Sequence, residues 1–260
     1  MIQPTLNAVL GRYPRLAIAV SGGVDSMTLA HAAHRLGIAE LVMVHAISPA
    51  VPGHATARVR AHAAGSGWEL LLVNAGEFDD PAYRANPVNR CYFCKTNLYG
   101  RIAKVTGAPI ASGANLDDLS DYRPGLQAAA EHAVLHPYIE AGMDKQAVRR
   151  LARQFGLATL SELPAAPCLS SRVETGLAIR AEDLAFIDAM ERLLLPQVPP
   201  GADLRCRITH AGVVIEASET EAARTAELIA TARDLCREKS RLFAGLRPYR
   251  RGAAFLHSGR

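Results

Sequence analysis

The chain has 260 residues, 49% of them hydrophobic and only 5% aromatic, with a formal net charge of +4. That length carries one large domain or a medium and a small one, and the composition excludes a disordered or fibrous chain. The mild positive charge suits a protein that handles anionic nucleotides but gives no argument for nucleic-acid binding. No apolar run approaches the roughly 18 residues a membrane span needs, and residues 1–20 lack the pattern of a secretory signal. The five cysteines are Cys91, Cys94, Cys168, Cys206 and Cys236. An odd number without a signal peptide predicts a cytoplasmic protein and no disulfide framework.

In chain order, Leu16–Val20 reads as a buried strand and a helix follows from about Met27 to Leu36, ended by Gly37. Leu41–Ala46 is a second strand, Thr56–Ala64 a helix and Leu70–Val73 a third strand. A helix over Lys95–Thr106 leads to an extended run at Pro109–Gly113. Strands alternating with helices at this spacing predict a parallel sheet covered on both faces. Asp144–Phe155 is an amphipathic helix, with Asp144 as N-cap and Gly156 as stop. Leu163–Gly176 is a loop, Ala181–Leu195 a helix, and Leu204–Thr209 with Val213–Ala217 a hairpin. Ser218-Glu219-Thr220-Glu221 fits a capping box for a helix to about Glu238, and Leu242–Leu246 is a last strand. The fold class is therefore α/β, a parallel-sheet domain over 1–176 and a smaller C-terminal α+β domain over 177–260.

Between the first strand and its helix stands Ser21-Gly22-Gly23-Val24-Asp25-Ser26. Glycines allow a sharp turn and close approach of a ligand. The loop N–H groups and the helix dipole favour an anion at that point. There is neither a Walker A Gly-Lys-Ser/Thr nor a GxGxxG. Ser21, Gly22, Gly23, Asp25 and Ser26 are the candidate phosphate contacts.

Four other segments carry reactive residue types. Arg90-Cys91-Tyr92-Phe93-Cys94-Lys95 holds a CxxC pair, suited to zinc, to an iron–sulfur cluster or to dithiol cycling. Lys95 is a further candidate for a phosphate. In Pro164–Arg172, Cys168 lies in a polar loop with Arg172 close by in sequence, which could neutralise an activated thiolate or grip a phosphate, though a plain buried cysteine fits as well. Asp117 and Asp118, in Ser112–Asp118, could help hold Mg²⁺ beside ATP phosphates, or the segment is simply a capped helix start. Arg205 and Arg207 alternate onto one strand face, where two guanidinium groups suit a phosphate or carboxylate. Cys206 and Cys236 have no partner spacing and belong to the core.

The hexapeptide SGGVDS resembles the PP-loop of the ATP pyrophosphatases. The motifs taken in order resemble one branch of them, the LarE-type sulfur transferases. They are Ser21–Ser26, Arg90–Lys95, Gly113–Asp118 with Asp121–Gly125, Glu140–Lys145 and Pro164–Arg172, and they span nearly the whole chain. One departure is Ala114, where threonine is usual before the asparagine. The resemblance implies an enzyme that uses ATP and Mg²⁺ to adenylylate a carboxylate of pyridinium-3,5-biscarboxylic acid mononucleotide, replacing the activated oxygen by sulfur. It implies a small-molecule nucleotide substrate, a homo-oligomer, and no nucleic-acid or membrane partner. It leaves two sulfur sources: Cys168 itself, or a 4Fe-4S cluster on Cys91, Cys94 and Cys168, the latter favoured because all three are present. The neighbouring readings are a tRNA-thiolating enzyme with the same three cysteines, an amidotransferase-type member of the superfamily and a nucleotide sensor without activity.

Overall fold

The computed structural model describes residues 4–120, 123–164, 167–218 and 222–249. In chain order the elements are α1 (Leu6–Leu10), β1 (Arg15–Ala19), α2 (Val24–Leu36), β2 (Glu40–Ala46), α3 (Gly53–Ser66), β3 (Leu70–Val73) and α4 (Pro81–Arg84). Then come α5 (Arg90–Thr106), β4 (Ile110–Ala111), α6 (Pro124–Glu131), α7 (Pro137–Glu140), α8 (Lys145–Gln154) and α9 (Ala158–Ser161). The remainder is α10 (Ala181–Leu194), β5 (Leu204–Thr209), β6 (Gly212–Ala217), α11 (Ala222–Glu238) and β7 (Phe243–Pro248). Two compact units result: Met1–Asp80 with Asn89–Ala166, and Pro81–Val88 with Pro167–Arg260. The loop 167–176 therefore groups with the second unit, as does the excursion 81–88.

The first unit is the expected α/β layer structure. Its sheet runs β3-β2-β1-β4, every pair parallel. Central β1 is apolar from Leu16 to Ala19 because both faces are covered there: Leu16, Ala17 and Ile18 are fully buried. On one face Leu16 and Ile18 pack with Met27, Leu29 and Val148 of the helices; on the other Ala17 and Val44 pack with Tyr99, Ile102 and Ala129. Helices α2, α3 and α5 stop at Gly37, Gly67 and Gly107, each in the left-handed conformation. Asp144 caps α8 as expected, its side chain accepting from the Ala147 N–H at 2.7 Å.

Helix α5 begins at Arg90 rather than Lys95, so Cys91 and Cys94 lie in its first two turns. Nothing from Arg90 to Lys95 opposes helix, so the helix expected from Lys95 extends back over these residues. The last strand of the sheet shrinks to Ile110–Ala111, and the next N–H, on Ser112, already bonds the Leu135 carbonyl at 3.0 Å.

A histidine pair links α2 to α3. His31 Nε2 lies 3.1 Å from His62 Nδ1, and the His31 ring stands edge-on to Trp68 with centroids 4.6 Å apart. Burial, then His62, Arg35 and His34, lowers the His31 pKa from 6.5 to about 4. As pH falls below 6.5, the unfolded chain takes up the proton before the folded one. The contribution of His31 to stability is thus intact above pH 6.5 and eroded as the pH falls to about 4. Melting followed through Trp68, the single tryptophan, should show that acid decline, and His31→Gln should flatten it. An unchanged slope would transfer the effect to other groups.

In the second unit β5 and β6 form the expected hairpin and β7 adds parallel to β6, giving the order β5-β6-β7. Cys206 and Cys236 are buried, as expected of core residues. The expected capping box at 218–221 lies largely outside the described residues. Among the described residues no helix is long and apolar enough to cross a membrane.

Candidate functional site

The first unit gathers its polar groups where β1 ends. Gly22 takes φ +82°, and a Cβ there would stand 2.8 Å from the Ala55 carbonyl oxygen of α3. The turn therefore requires glycine both for its conformation and for its contact. Ser26 Oγ accepts from the Ser21 N–H at 3.0 Å, lies 3.1 Å from Ser21 Oγ and donates to the Gly23 carbonyl at 3.3 Å. The Gly23 N–H points to Ser21 Oγ at 3.4 Å. The two hydroxyls thus close the loop on itself at the N-terminus of the 13-residue α2.

Other segments buttress this loop. Arg58 of α3 donates to the Gly22 carbonyl at 2.7 Å. His45, at the end of β2, lies 2.8 Å by Nδ1 from the Val20 carbonyl and 2.9 Å by Nε2 from Thr56 Oγ1. A carbonyl only accepts, so Nδ1 carries the proton and Nε2 accepts from threonine. Burial lowers the His45 pKa below its ordinary 6.5, which keeps that neutral tautomer at pH 7. Gly113, after β4, approaches α2 so closely that a Cβ would meet the Ser26 nitrogen at 2.7 Å. Ser112 Oγ lies 2.9 Å from His136 Nδ1.

Asp25 connects the loop to segments far along the chain. One oxygen accepts from Lys145 Nζ, the first residue of α8, and the other from Asn115 Nδ2 at 3.3 Å. Tyr138 donates its hydroxyl to the Asp25 carbonyl at 3.1 Å. Lys145, Asn115, Arg58 and His45 were not among the sequence candidates. Lys145 and Asn115 lay inside quoted motifs but had no partner that spacing could reveal, and Arg58 sits on a helix whose pattern marks it only as polar.

Asp117 and Asp118 begin a 3₁₀ turn capped by Asn115. Asp118 completes a capping box through the Asn115 N–H at 3.1 Å and pairs with Arg123 at 3.1 Å. Cys91, Cys94 and Lys95 are half-buried on α5, and the Lys95 ammonium lies 5.6 Å from the Tyr99 ring centroid.

In the second unit Cys168 is exposed, which removes the plain buried cysteine as an account of it. Its neighbour Arg172 is buried and fully engaged. It forms a two-pronged pair with Glu191 at 3.0 and 3.2 Å, and donates to the Pro167 and Cys168 carbonyls at 2.7 and 3.2 Å. That guanidinium clamps the backbone of the cysteine loop. Arg207 is likewise buried, bonded to Glu216 at 2.7 Å and to the Ser171 carbonyl at 2.7 Å. Arg205 is half-buried, 3.7 Å from Asp203 and with its guanidinium 5.5 Å from the Tyr249 ring centroid. The two arginines share a face as predicted, but they serve different neighbours. Among the described residues no group of three or more His, Cys, Asp or Glu stands together as a metal site.

The parallel sheet with helices on both faces makes this an α/β protein, and the glycine turn, paired hydroxyls and helix N-terminus at its carboxyl edge are chemically suited to an anion. No family model matches the chain. It is 37% identical over 190 residues to an uncharacterized protein of Synechocystis sp., covering 72% of this chain and 70% of that one, and it belongs to that protein's family. At 28% identity over 195 residues it resembles the pyridinium-3,5-bisthiocarboxylic acid mononucleotide synthase of Lactiplantibacillus plantarum, covering 73% of this chain and 70% of the synthase. An uncharacterized protein of Methanocaldococcus jannaschii is 26% identical over 194 residues, 69% of each chain. The resemblance to LarE-type proteins thus has a distant named relative behind it.

Proposed function

We propose that this chain is an ATP-dependent sulfur transferase. In this reading it activates a carboxylate of a pyridinium biscarboxylic acid mononucleotide as the acyl-adenylate and converts it to the thiocarboxylate. The observation that carries the reading is the anion cradle at the end of β1, supported by the name of the distant relative. Ser21, Gly22, Gly23 and Ser26 would hold the ATP phosphates, whose oxygens would supply much of the shell of Mg²⁺, whereas the Asp25 carboxylate, itself anionic and taken by Lys145 and Asn115, is not a phosphate contact in this reading. Asp117 and Asp118 remain candidates for that ion, although Asp118 already caps a turn and pairs with Arg123. A carboxylate is a poor electrophile; joined to AMP it carries a good leaving group. Arg205 is the better placed of the two strand arginines to meet a substrate phosphate, since Arg207 is committed to Glu216.

The thiol chemistry falls to Cys168, whose loop is fixed from behind by Arg172. Cys91 and Cys94, three apart on one helix, share a face. Their thiols suit two ligands of a 4Fe-4S cluster. When bound, such a cluster would supply sulfide from its cysteine-free iron. Without one, the Cys168 sulfur itself is the donor.

Cys168→Ala should lose thiocarboxylate formation by at least about a hundredfold, a barrier increase of roughly 2.7 kcal/mol. Substrate-dependent release of pyrophosphate should survive. Intact mass after one anoxic turnover separates the donors: a polypeptide lighter by the elements of H₂S means Cys168 is consumed, and an unchanged mass means another source. Absence of ATP turnover with the biscarboxylate nucleotide would refute the substrate.

A further inference from the structure

We infer that Lys145 is a positioning residue that neutralises Asp25 and thereby makes the loop an anion site. The inference rests on the phosphate-loop reading and deepens it. A carboxylate at the first turn of α2 occupies the place where the helix dipole and the loop N–H groups would attract a phosphate. Left alone, Asp25 would satisfy that field itself and repel a polyanion.

The structure gives Asp25 a cation instead. Lys145 Nζ pairs with one carboxylate oxygen, the two side chains being 30% and 27% exposed. Two largely buried residues fix the geometry. Asn115, 3% exposed, holds the other oxygen at 3.3 Å. Tyr138, fully buried, holds the Asp25 backbone carbonyl at 3.1 Å. Lys145 is itself placed by the Asp144 cap of α8, whose Val148 and Ala152 are fully buried in the core. Three separate segments after β4 therefore converge on one residue of the loop, two of them on its carboxylate and one on its backbone carbonyl. At this half-buried depth the pair is screened less than a fully exposed one. Replacing the lysine by a neutral side chain would leave a negative charge inside the cradle.

The test measures binding of inorganic pyrophosphate without metal and of ATP with Mg²⁺, by calorimetry, alongside melting temperatures. Lys145→Met should bind both at least about tenfold more weakly, and Lys145→Arg should stay within about threefold of the parent. In the metal-free arm, Asp25→Asn combined with Lys145→Met should recover pyrophosphate affinity to within about threefold, because no charge remains to repel it. A purely structural lysine would not show that recovery. Equal binding by Lys145→Met and the parent overturns the inference, as does a double variant as weak as Lys145→Met. Should Lys145→Met fail to fold, Lys145→Gln takes its place under the same criteria. If the parent binds neither ligand, the phosphate-loop reading itself fails and takes this inference with it.

Discussion

Gly22→Ala should abolish nucleotide binding and lower the stability of the first unit by roughly 2–5 kcal/mol. About 1–2 kcal/mol comes from forcing an L side chain into the left-handed region, and about 1–3 kcal/mol from overpacking. The second contribution is unavoidable here, because the new Cβ would stand 2.8 Å from the Ala55 carbonyl oxygen and 3.2 Å from the Ala55 Cβ. A backbone oxygen in the first turn of α3 cannot rotate away as a side chain would. Either the loop moves or α3 moves, and α3 carries Arg58, which holds the Gly22 carbonyl, and Thr56, which holds His45. Calorimetric titration with ATP and Mg²⁺, and melting followed by Trp68 fluorescence, would read both effects. A variant that binds and melts like the parent would mean the loop does not hold the conformation described.

Glu216→Gln should destabilise the second unit by about 3–5 kcal/mol, the cost of leaving a buried charge without its partner. Glu216 is 1% exposed and serves two arginines, Arg207 at 2.7 Å and Arg247 at 2.8 Å. It faces Arg247 directly in the β6–β7 register, so one carboxylate ties all three strands together. Arg247 is half-exposed and can turn to water when the carboxylate is lost. Arg207 cannot, since its side chain is 9% exposed and its other hydrogen bond, to the Ser171 carbonyl, binds it to the cysteine loop. Combining Arg207→Met with Glu216→Met should recover most of the loss, because removing both charges removes the desolvation penalty. Thermal melting of the two single variants and the double one decides this. A Glu216→Gln protein as stable as the parent would mean that water or another group compensates Arg207.

What was legible in advance followed from local rules. The alternation of apolar runs with helical periods announced the parallel layers, because strands covered on both faces have no polar side to show. The hairpin at 204–217 and the Asp144 cap were legible for the same reason: each is decided by residues a few positions apart. Helix α5 starts five residues before the expected Lys95, because no residue from Arg90 to Phe93 carries a break that would stop it.

The site divides in the same way. SGGVDS, the three candidate cysteines and the arginine pair could be picked out because each is a short pattern. Their employments could not. Arg172 and Arg207 look alike in sequence to any anion-binding arginine, yet each is committed to a glutamate, 19 and 9 residues away, the half-buried Glu191 and the buried Glu216. Lys145 meets Asp25 across 120 residues, and Asn115 meets it across 90. The amino-acid sequence by itself determined the layered α/β fold, the glycine loop and the place of that loop at a strand end, since these depend on hydrophobic period and local backbone freedom. Only the tertiary structure decided which charges are neutralised, which arginines are spent on structure and which thiol stands in the open, because those follow from contacts between segments far apart in the chain.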